Sequence, residues 1–291
     1  MKVTNKYGLP AAFVQAVSVE RHNKAGCYSA TTLNKGAKEV ILQERHWDEL
    51  ETDASDNVWA VFGTATHAIL EKHNDDNFHE ESFRVSVEKS FVTGTVDSYD
   101  MDNGIIVDWK TASVYKVLSA DFTDWYNQGM TYAWLLRQTG LYVRTCRFVA
   151  LLKDHSKSKA KNDHTYPQSP IYVYEFDVTE EALTDAEGRI RAKIIELEEF
   201  SRVRDDDIRP CSAAERWASP EKYAVMKHGR KSAVRLFDNA NKAKEYAERL
   251  GSQHYVEHRP EVSRKCQDYC LCNKFCNFYN SRKKEVLSNG Q

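Results

Sequence analysis

The stretch of residues 91–111 constrains this chain more than any other. Two runs rich in β-branched and aromatic residues, 91–99 and 105–111, flank Asp102-Asn103-Gly104. Asn-Gly is the strongest short hairpin signal, because both residues accept positive φ. With Asn103 and Gly104 as the two central turn residues, Asp102 pairs with Ile105, Tyr99 stands opposite Asp108, and Asp97 stands opposite Lys110. Opposed residues share a sheet face, and so do residues two apart on one strand. That register puts Asp97, Asp108 and Lys110 on one face, with the aspartates diagonal neighbours about 7 Å apart at the backbone. It turns Ile105, Val107 and Trp109 the other way, into a core. Two carboxylates and a lysine on one sheet face point to a divalent-metal site, since hard cations take oxygen ligands and an adjacent ammonium steadies charge on a phosphate. An exposed hairpin with an ordinary Asp–Lys cross-strand pair is the alternative, and the context decides between them.

A chain of 291 residues has ample length for one large domain or two modest ones. A formal net charge of −2 gives no global basic field, so a nucleic-acid site has to be a local patch. Residues 1–10 are polar with no apolar stretch after them, which predicts no secretory signal, and no run is long enough to span a bilayer. Four of the seven cysteines are bunched near the C-terminus, a pattern that predicts metal ligation in a reducing cytoplasm rather than disulfides.

Phe13, Val14 and Val17 form a short apolar stripe. Ser29 is read as the N-cap of a helix running through Leu33, Ala37, Val40 and Ile41 to Trp47, and the acidic residues 49–57 as a loop. A second helix over residues 58–73 carries Gly63, His67 and Glu71 one turn apart on a shared face. Gly63 leaves space beside the imidazole, and Glu71 is placed to orient it. After the hairpin, a helix over residues 121–139 holds Gln128 and Tyr132 one turn apart and ends at Gly140. Residues 143–153 and 171–178 read as strands. Between them lies a basic loop, residues 153–161, which is either a solvated excursion or a phosphate contact. A long helix over residues 179–203 buries Leu183, Ala186, Ile190, Ile194 and Leu197.

Gly63…His67…Glu71, Gly94-x-x-Asp97, Asp108-x-Lys110 and Gln128-x-x-x-Tyr132 occur in the order and on the elements of a known pattern. Over roughly residues 29–178 the chain resembles the RecB-type branch of the PD-(D/E)XK nuclease superfamily, including phage exonucleases of the RecE kind, with Val96 where the pattern has proline. The resemblance implies an α/β fold with a restriction-endonuclease-like core, a mixed central sheet with flanking helices. It implies that Asp97 and Asp108 bind catalytic Mg²⁺ or Mn²⁺, that His67 is a further ligand, and that Lys110 assists the attacking water. Gln128 and Tyr132 would support the site and contact DNA, and Trp109 would offer the metal its backbone carbonyl. The implied activity is a DNA exonuclease of recombination or end processing in a bacterial or phage-infected cell. Its partners would be a single-strand annealing or recombination protein and other copies of itself. A CRISPR-adaptation-like end-trimming nuclease and a non-catalytic DNA-binding subunit are the alternatives; Lys110 argues against the latter, because a binding module has no need of it.

From about Arg209 the chain changes character, giving an expected division into residues 1–208 and 209–291. Residues 222–227 and 232–237 alternate as strands, Asn239 caps a helix closed by Gly251, and residues 254–257 form a third strand. This small ββαβ module lies between Cys211 and the run Cys266-x₃-Cys270-x-Cys272-x₃-Cys276, which is strong evidence for a metal. It resembles the iron–sulfur members of the superfamily, the AddB type and the CRISPR adaptation nucleases, which pin the C-terminus with a [4Fe–4S] cluster. The early cysteine of that pattern has no counterpart near Gly36. Cys211, Cys266, Cys270 and Cys276 are therefore the expected ligands, with Cys272 as rival to Cys211, and zinc stands beside the cluster as the metal.

Overall fold

A long strand that two different partners share along one edge organises the N-terminal part of the molecule. The structure, a computed structural model, describes residues 1–18, 25–71 and 78–289 and falls into two compact units, Met1–Ile208 and Arg209–Gln291. The first unit opens with β1 (Lys2–Thr4), α1 (Ala11–Ala16), β2 (Cys27–Ser29), α2 (Ala37–Arg45), β3 (Glu51–Asp53) and α3 (Val58–Glu71). It continues with β4 (Phe78–Val87), β5 (Ser90–Asp100), β6 (Ile105–Ala112), α4 (Val114–Leu118) and α5 (Thr123–Gln138). β7 (Thr145–Leu152), α6 (Lys157–Asn162), β8 (Ile171–Asp177) and α7 (Glu180–Phe200) complete it.

The central sheet is mixed. Its order is β2-β5-β6-β7-β8, with β2–β5 and β6–β7 parallel and β5–β6 and β7–β8 antiparallel, while β4 runs antiparallel along the other edge of β5. On its shared edge β5 pairs with β2 over Phe91 to Thr93 and with β6 over Ser98 to Asp100. Between those two ladders no described strand pairs with that edge.

The hairpin forms, with a register two residues from the expected one. Asp100, not Asp102, pairs with Ile105. The cause is local: the Asp100 carboxylate accepts the Asn103 amide N–H at 3.0 Å and its side-chain NH₂ at 2.8 Å, closing a wider turn with Gly104 at φ 65°. A shift of two keeps every side chain on its expected face but brings Asp97 level with Asp108. The core lies on the other side from the expected one. Ile106 and Asp108 are buried, whereas Val107 and Trp109 are only half-buried. α5 covers the Ile106–Asp108 face, so that is where apolar area is removed from water.

Two glycines let α5 lie this close. A Cβ on Gly129 would come within 2.8 Å of Phe176 and 2.9 Å of Phe148, and one on Gly94 within 2.8 Å of Leu135 and Tyr132. α7 packs beside α5 and α2; all five residues of its expected stripe are buried, together with Phe200. Ser29 caps no helix: it ends β2, and its hydroxyl accepts the Thr32 amide of a short 3-10 turn before α2 starts at Ala37. The stretch read as a loop over residues 49–57 contains β3, paired in parallel with β1, and a 3-10 turn capped by Asp53. The basic loop contains the short helix α6.

The second unit consists of β9 (Ala218–Ser219), β10 (Lys222–Lys227), β11 (Arg235–Phe237), α8 (Ala240–Leu250), β12 (His254–Arg259), β13 (Val262–Ser263), α9 (Arg264–Asp268) and α10 (Asn277–Asn289). β11-β10-β12 is an antiparallel sheet, and β9 pairs with β13. Asn239 Oδ1 accepts the Asn241 and Lys242 amides and so caps α8, and Gly251 follows its end at φ 89°. Val225, Ala243 and Ala247 form a buried cluster against Tyr246 and Val256. The second strand is shorter than expected, because only Arg235–Phe237 pairs regularly with β10.

Candidate metal-binding and catalytic site

Asp97 sits where the β5–β6 ladder opens. One step beyond the last pair, Ser98 with Val107, its Oδ2 accepts the Trp109 backbone N–H at 2.7 Å. The Trp109 carbonyl is 3.1 Å from His67 Nε2. Backbone groups of one strand residue point to the same side, so two site side chains take up what pairing with β5 leaves unused. The carbonyl expected on the metal therefore holds the imidazole in this structure.

His67 reaches Trp109 from α3, which runs close to β6: a Cβ on Gly63, one turn earlier, would lie 3.7 Å from Thr111 Oγ1. Nε2 as donor to the carbonyl leaves Nδ1 as the ring's lone-pair nitrogen when the imidazole is neutral. Nδ1 lies 3.3 Å from Asp97 Oδ1 and 3.9 Å from Glu80 Oε1. The Asp97 carboxylate bonded to the ring holds the His67 pKa above its ordinary value, against the opposing effect of burial. Glu71 ends α3, and its side chain lies outside the described residues.

Glu80 is the residue that sequence reasoning missed. The β4–β5 register runs through His79 with Ser98 and Glu81 with Val96, which puts Glu80 level with Asp97. Its φ of 52° is unusual for a residue with a side chain, a conformation costing on the order of 1 kcal/mol or more. A signal was available: Phe83, Val85 and Val87 alternate, and a two-residue turn at Glu88-Lys89 counts Glu80 back to Asp97. Ligand atoms of His67, Glu80 and Asp97 all lie within 4.8 Å of one another. Two carboxylates and an imidazole at that spacing fit a divalent cation, and Mn²⁺ accepts this mixed oxygen–nitrogen set.

Asp108 is the buried member, 2% exposed. Its Oδ1 accepts from Gln128 Nε2 at 3.2 Å, and its Oδ2 is 2.6 Å from the Lys110 ammonium, which approaches off the hydrogen-bonding direction and so forms an ion pair. Burial pushes the Asp108 carboxyl up to about 6, the Lys110 charge pulls it down, and the Asp97 charge adds to the rise. Gln128 Nε2 also donates to the Tyr132 hydroxyl at 2.7 Å, using both of its protons. Burial pushes the Tyr132 phenol upward and keeps it neutral. Tyr132 in turn lies against Gly94, so the glycine three residues before Asp97 is the floor on which Tyr132, Gln128 and then Asp108 are stacked.

The chain matches no family model and no curated protein. Among solved structures it is similar to SSO0001, at 19% identity over 62% of this chain and 82% of that one, with a TM-score of 0.42. It is similar to a phage-related exonuclease from Haemophilus somnus 129PT (14% identity, 62% and 96% coverage, TM-score 0.37). It is also similar to an alkaline exonuclease, LHK-Exo, from Laribacter hongkongensis (11% identity, 60% and 90% coverage, TM-score 0.37). Likenesses this slight leave the reading to the geometry of the site.

In the second unit, Cys270 Sγ and Cys272 Sγ are 3.5 Å apart, and Cys272 is buried. Cys211, Cys266 and Cys276 are half-buried. Arg216 ties the two ends of the module together: its Nε donates to the Cys211 carbonyl at 3.0 Å, its Nη1 bonds Glu261 and Ser263, and its own carbonyl accepts the Lys265 amide next to Cys266. No described helix is long and apolar enough to cross a membrane.

Proposed function

We propose that this chain is a divalent-metal-dependent deoxyribonuclease that hydrolyses phosphodiester bonds at DNA ends, in recombination or end processing in a bacterial or phage-infected cytoplasm. The observation that carries the reading is the group His67, Glu80 and Asp97, with ligand atoms within 4.8 Å of one another at the open step of β5 and β6, and beside it the Asp108–Lys110 ion pair, which the strand register brings level with Asp97. His67, Glu80, Asp97 and Asp108 would hold Mg²⁺ or Mn²⁺, which when bound supplies positive charge to the phosphoryl oxygens. Lys110, partly exposed beside Asp108, faces the phosphate and steadies the charge that builds on it while a water attacks. Gln128 and Tyr132 hold the Asp108 carboxylate in one orientation, and Trp109 holds His67 through its carbonyl.

Charge distribution supports a polyanionic substrate. Residues 209–291 carry 17 Lys and Arg against 9 Asp and Glu, while residues 1–208 carry 24 against 34. The near-neutral total thus hides a strongly basic C-terminal unit.

That unit has a small core, and its cysteines would supply a structural metal. A tetrahedral zinc site with Zn–S bonds of about 2.3 Å places its sulfurs ~3.8 Å apart. The Cys270–Cys272 separation is close to that, whereas a cubane cluster spreads its thiolates over separate irons. Cys270 and Cys272 are the candidate pair, with Cys211, Cys266 and Cys276 as the candidates for the remaining positions, for zinc or for a [4Fe–4S] cluster.

The direct test is cleavage of end-labelled linear DNA and of closed circular DNA with Mn²⁺, with Mg²⁺ and with excess chelator. Mononucleotides or short products from linear DNA, an intact circle and no product in chelator are expected. Cleavage unaffected by chelator would refute the metal-dependent reading, and nicking of the circle would replace exonuclease by endonuclease.

A further inference from the structure

α3 is unlike an ordinary surface helix. Residues 58–70 contain no Asp, Glu, Lys or Arg, yet Trp59, Phe62 and Ile69 are 49%, 55% and 60% exposed. A solvated helix face is normally polar, so a row of exposed apolar side chains marks a binding surface. The Trp59 and Phe62 rings lie 5.7 Å apart at an angle of 54°. The Lys153 ammonium lies 4.0 Å from the centre of the Trp59 ring.

Lys153 begins the basic segment that follows β7. Lys153, Lys157, Lys159 and Lys161 have no carboxylate partner among the described residues, and Lys159 lies against the Tyr166 ring. The only carboxylate within that segment, Asp154, accepts the Val114 amide at 2.7 Å. Lys153, without an acidic partner and beside the exposed face of Trp59, matches the two halves of a nucleotide, a phosphate and a flat base. Trp59 is eight residues before His67, about 12 Å along the helix axis, so a strand whose phosphate is at the site spans the distance with a few nucleotides.

We propose that α3 and the Lys153–Lys161 segment form a single-strand track, in which Trp59 and Phe62 stack unpaired bases and Lys153 takes the adjoining phosphate, so that the site prefers single-stranded or frayed DNA ends. This rests on the nuclease reading for the purpose of the track and not for its existence. A fully paired duplex keeps its bases stacked on one another and cannot offer them to Trp59; an unpaired strand can.

Three measurements on the full chain test the track. Affinity for a short single-stranded oligonucleotide and for a blunt duplex is measured by fluorescence anisotropy in the Asp108→Asn background with Mn²⁺. Trp59→Ala should weaken single-strand binding by about tenfold, within the range of one base–aromatic stack, and leave duplex binding unchanged; Trp59→Phe should recover most of the loss. Lys153→Ala should instead flatten the salt dependence, by about 0.7 in the log–log slope for a single strand. In the otherwise wild-type protein, hydrolysis of bis(p-nitrophenyl) phosphate, which has no base to stack, should be the same with and without Trp59→Ala. Equal losses on single strand and duplex, or no loss on either, would overturn the track. So would a loss accompanied by a change from dimer to monomer in light scattering, because α3 would then be a face for a second copy. If the wild type hydrolyses neither DNA nor the small ester but Trp59→Ala still loses single-strand affinity, the nuclease reading falls and the track stands.

Discussion

Asp108→Asn should reduce metal-dependent DNA cleavage by about a thousandfold or more and at the same time raise the melting temperature of the metal-free protein. Both effects come from one carboxyl group. Its folded-state pKa is pushed up to about 6 by burial, above the ordinary Asp value of about 3.9. The folded protein therefore holds this proton more tightly than the unfolded chain. The resulting stability is fully present below about pH 4 and is lost as pH rises through about 6. At about pH 8 the native state carries an ionised carboxylate that is almost fully enclosed, with Lys110 and Gln128 as its compensation. Asparagine keeps the shape and an acceptor for Gln128 and removes the buried charge. Activity lost with stability gained separates a site residue from a structural one, since a structural residue loses both. Lys110→Ala should lose comparable activity and some stability, because it leaves Asp108 without its cation. A folded Asp108→Asn protein that cleaves DNA at near the wild-type rate would refute the assignment.

Cys270→Ser and Cys272→Ser should each remove the structural metal and the solubility of the C-terminal unit together. Residues 209–291 bury a small apolar cluster, so a metal staple would supply much of the stability of this unit. Structural zinc contributes on the order of 10 kcal/mol of folding free energy to small modules, more than any single packing contact in this unit. Elemental analysis of protein purified without air should find bound metal, either about one zinc per chain and no colour or brown protein with the broad visible absorption of an iron–sulfur cluster; a folded protein with neither would refute the structural metal. Cys146→Ser is the control, since Cys146 is buried in β7 with its thiol donating to the Gly129 carbonyl, remote in sequence from the cysteine run. A folded Cys270→Ser or Cys272→Ser protein that retains full metal content would contradict the expectation for that residue.

Much of the candidate site was legible because its signals are local. Asn103-Gly104 marks the hairpin, period-two alternation fixes which residues share a face, and one-turn spacing puts Gln128 with Tyr132. The register was not legible from Asn-Gly alone, because the Asp100 carboxylate competes for the Asn103 amide and widens the turn. The buried face is not legible for a related reason. Ile105, Val107 and Trp109 look like a core face, but which face is covered depends on where α5 lies, and that is set by the clearance at Gly94 and Gly129. Glu80 is legible only once the strand before β5 is counted back from the turn at Glu88-Lys89; its positive φ has no sequence signature. Ser29 reads as a helix cap, and its hydroxyl does accept an amide three residues on, but nothing in the local sequence distinguishes the 3-10 turn there from an α-helix.

The most direct test of the account is calorimetric titration of Mn²⁺ into the wild type, Glu80→Gln, Asp97→Asn and His67→Gln. Since metal binding at Nδ1 has to displace the proton that Asp97 stabilises on His67, wild-type affinity should rise as pH rises through the raised His67 pKa, above the ordinary imidazole value of about 6.5, with release of a proton. His67→Gln should flatten that rise. Glu80→Gln and Asp97→Asn should each weaken Mn²⁺ by more than about tenfold, with the fold retained. Wild-type Mn²⁺ affinity in folded Glu80→Gln and Asp97→Asn proteins would contradict the site.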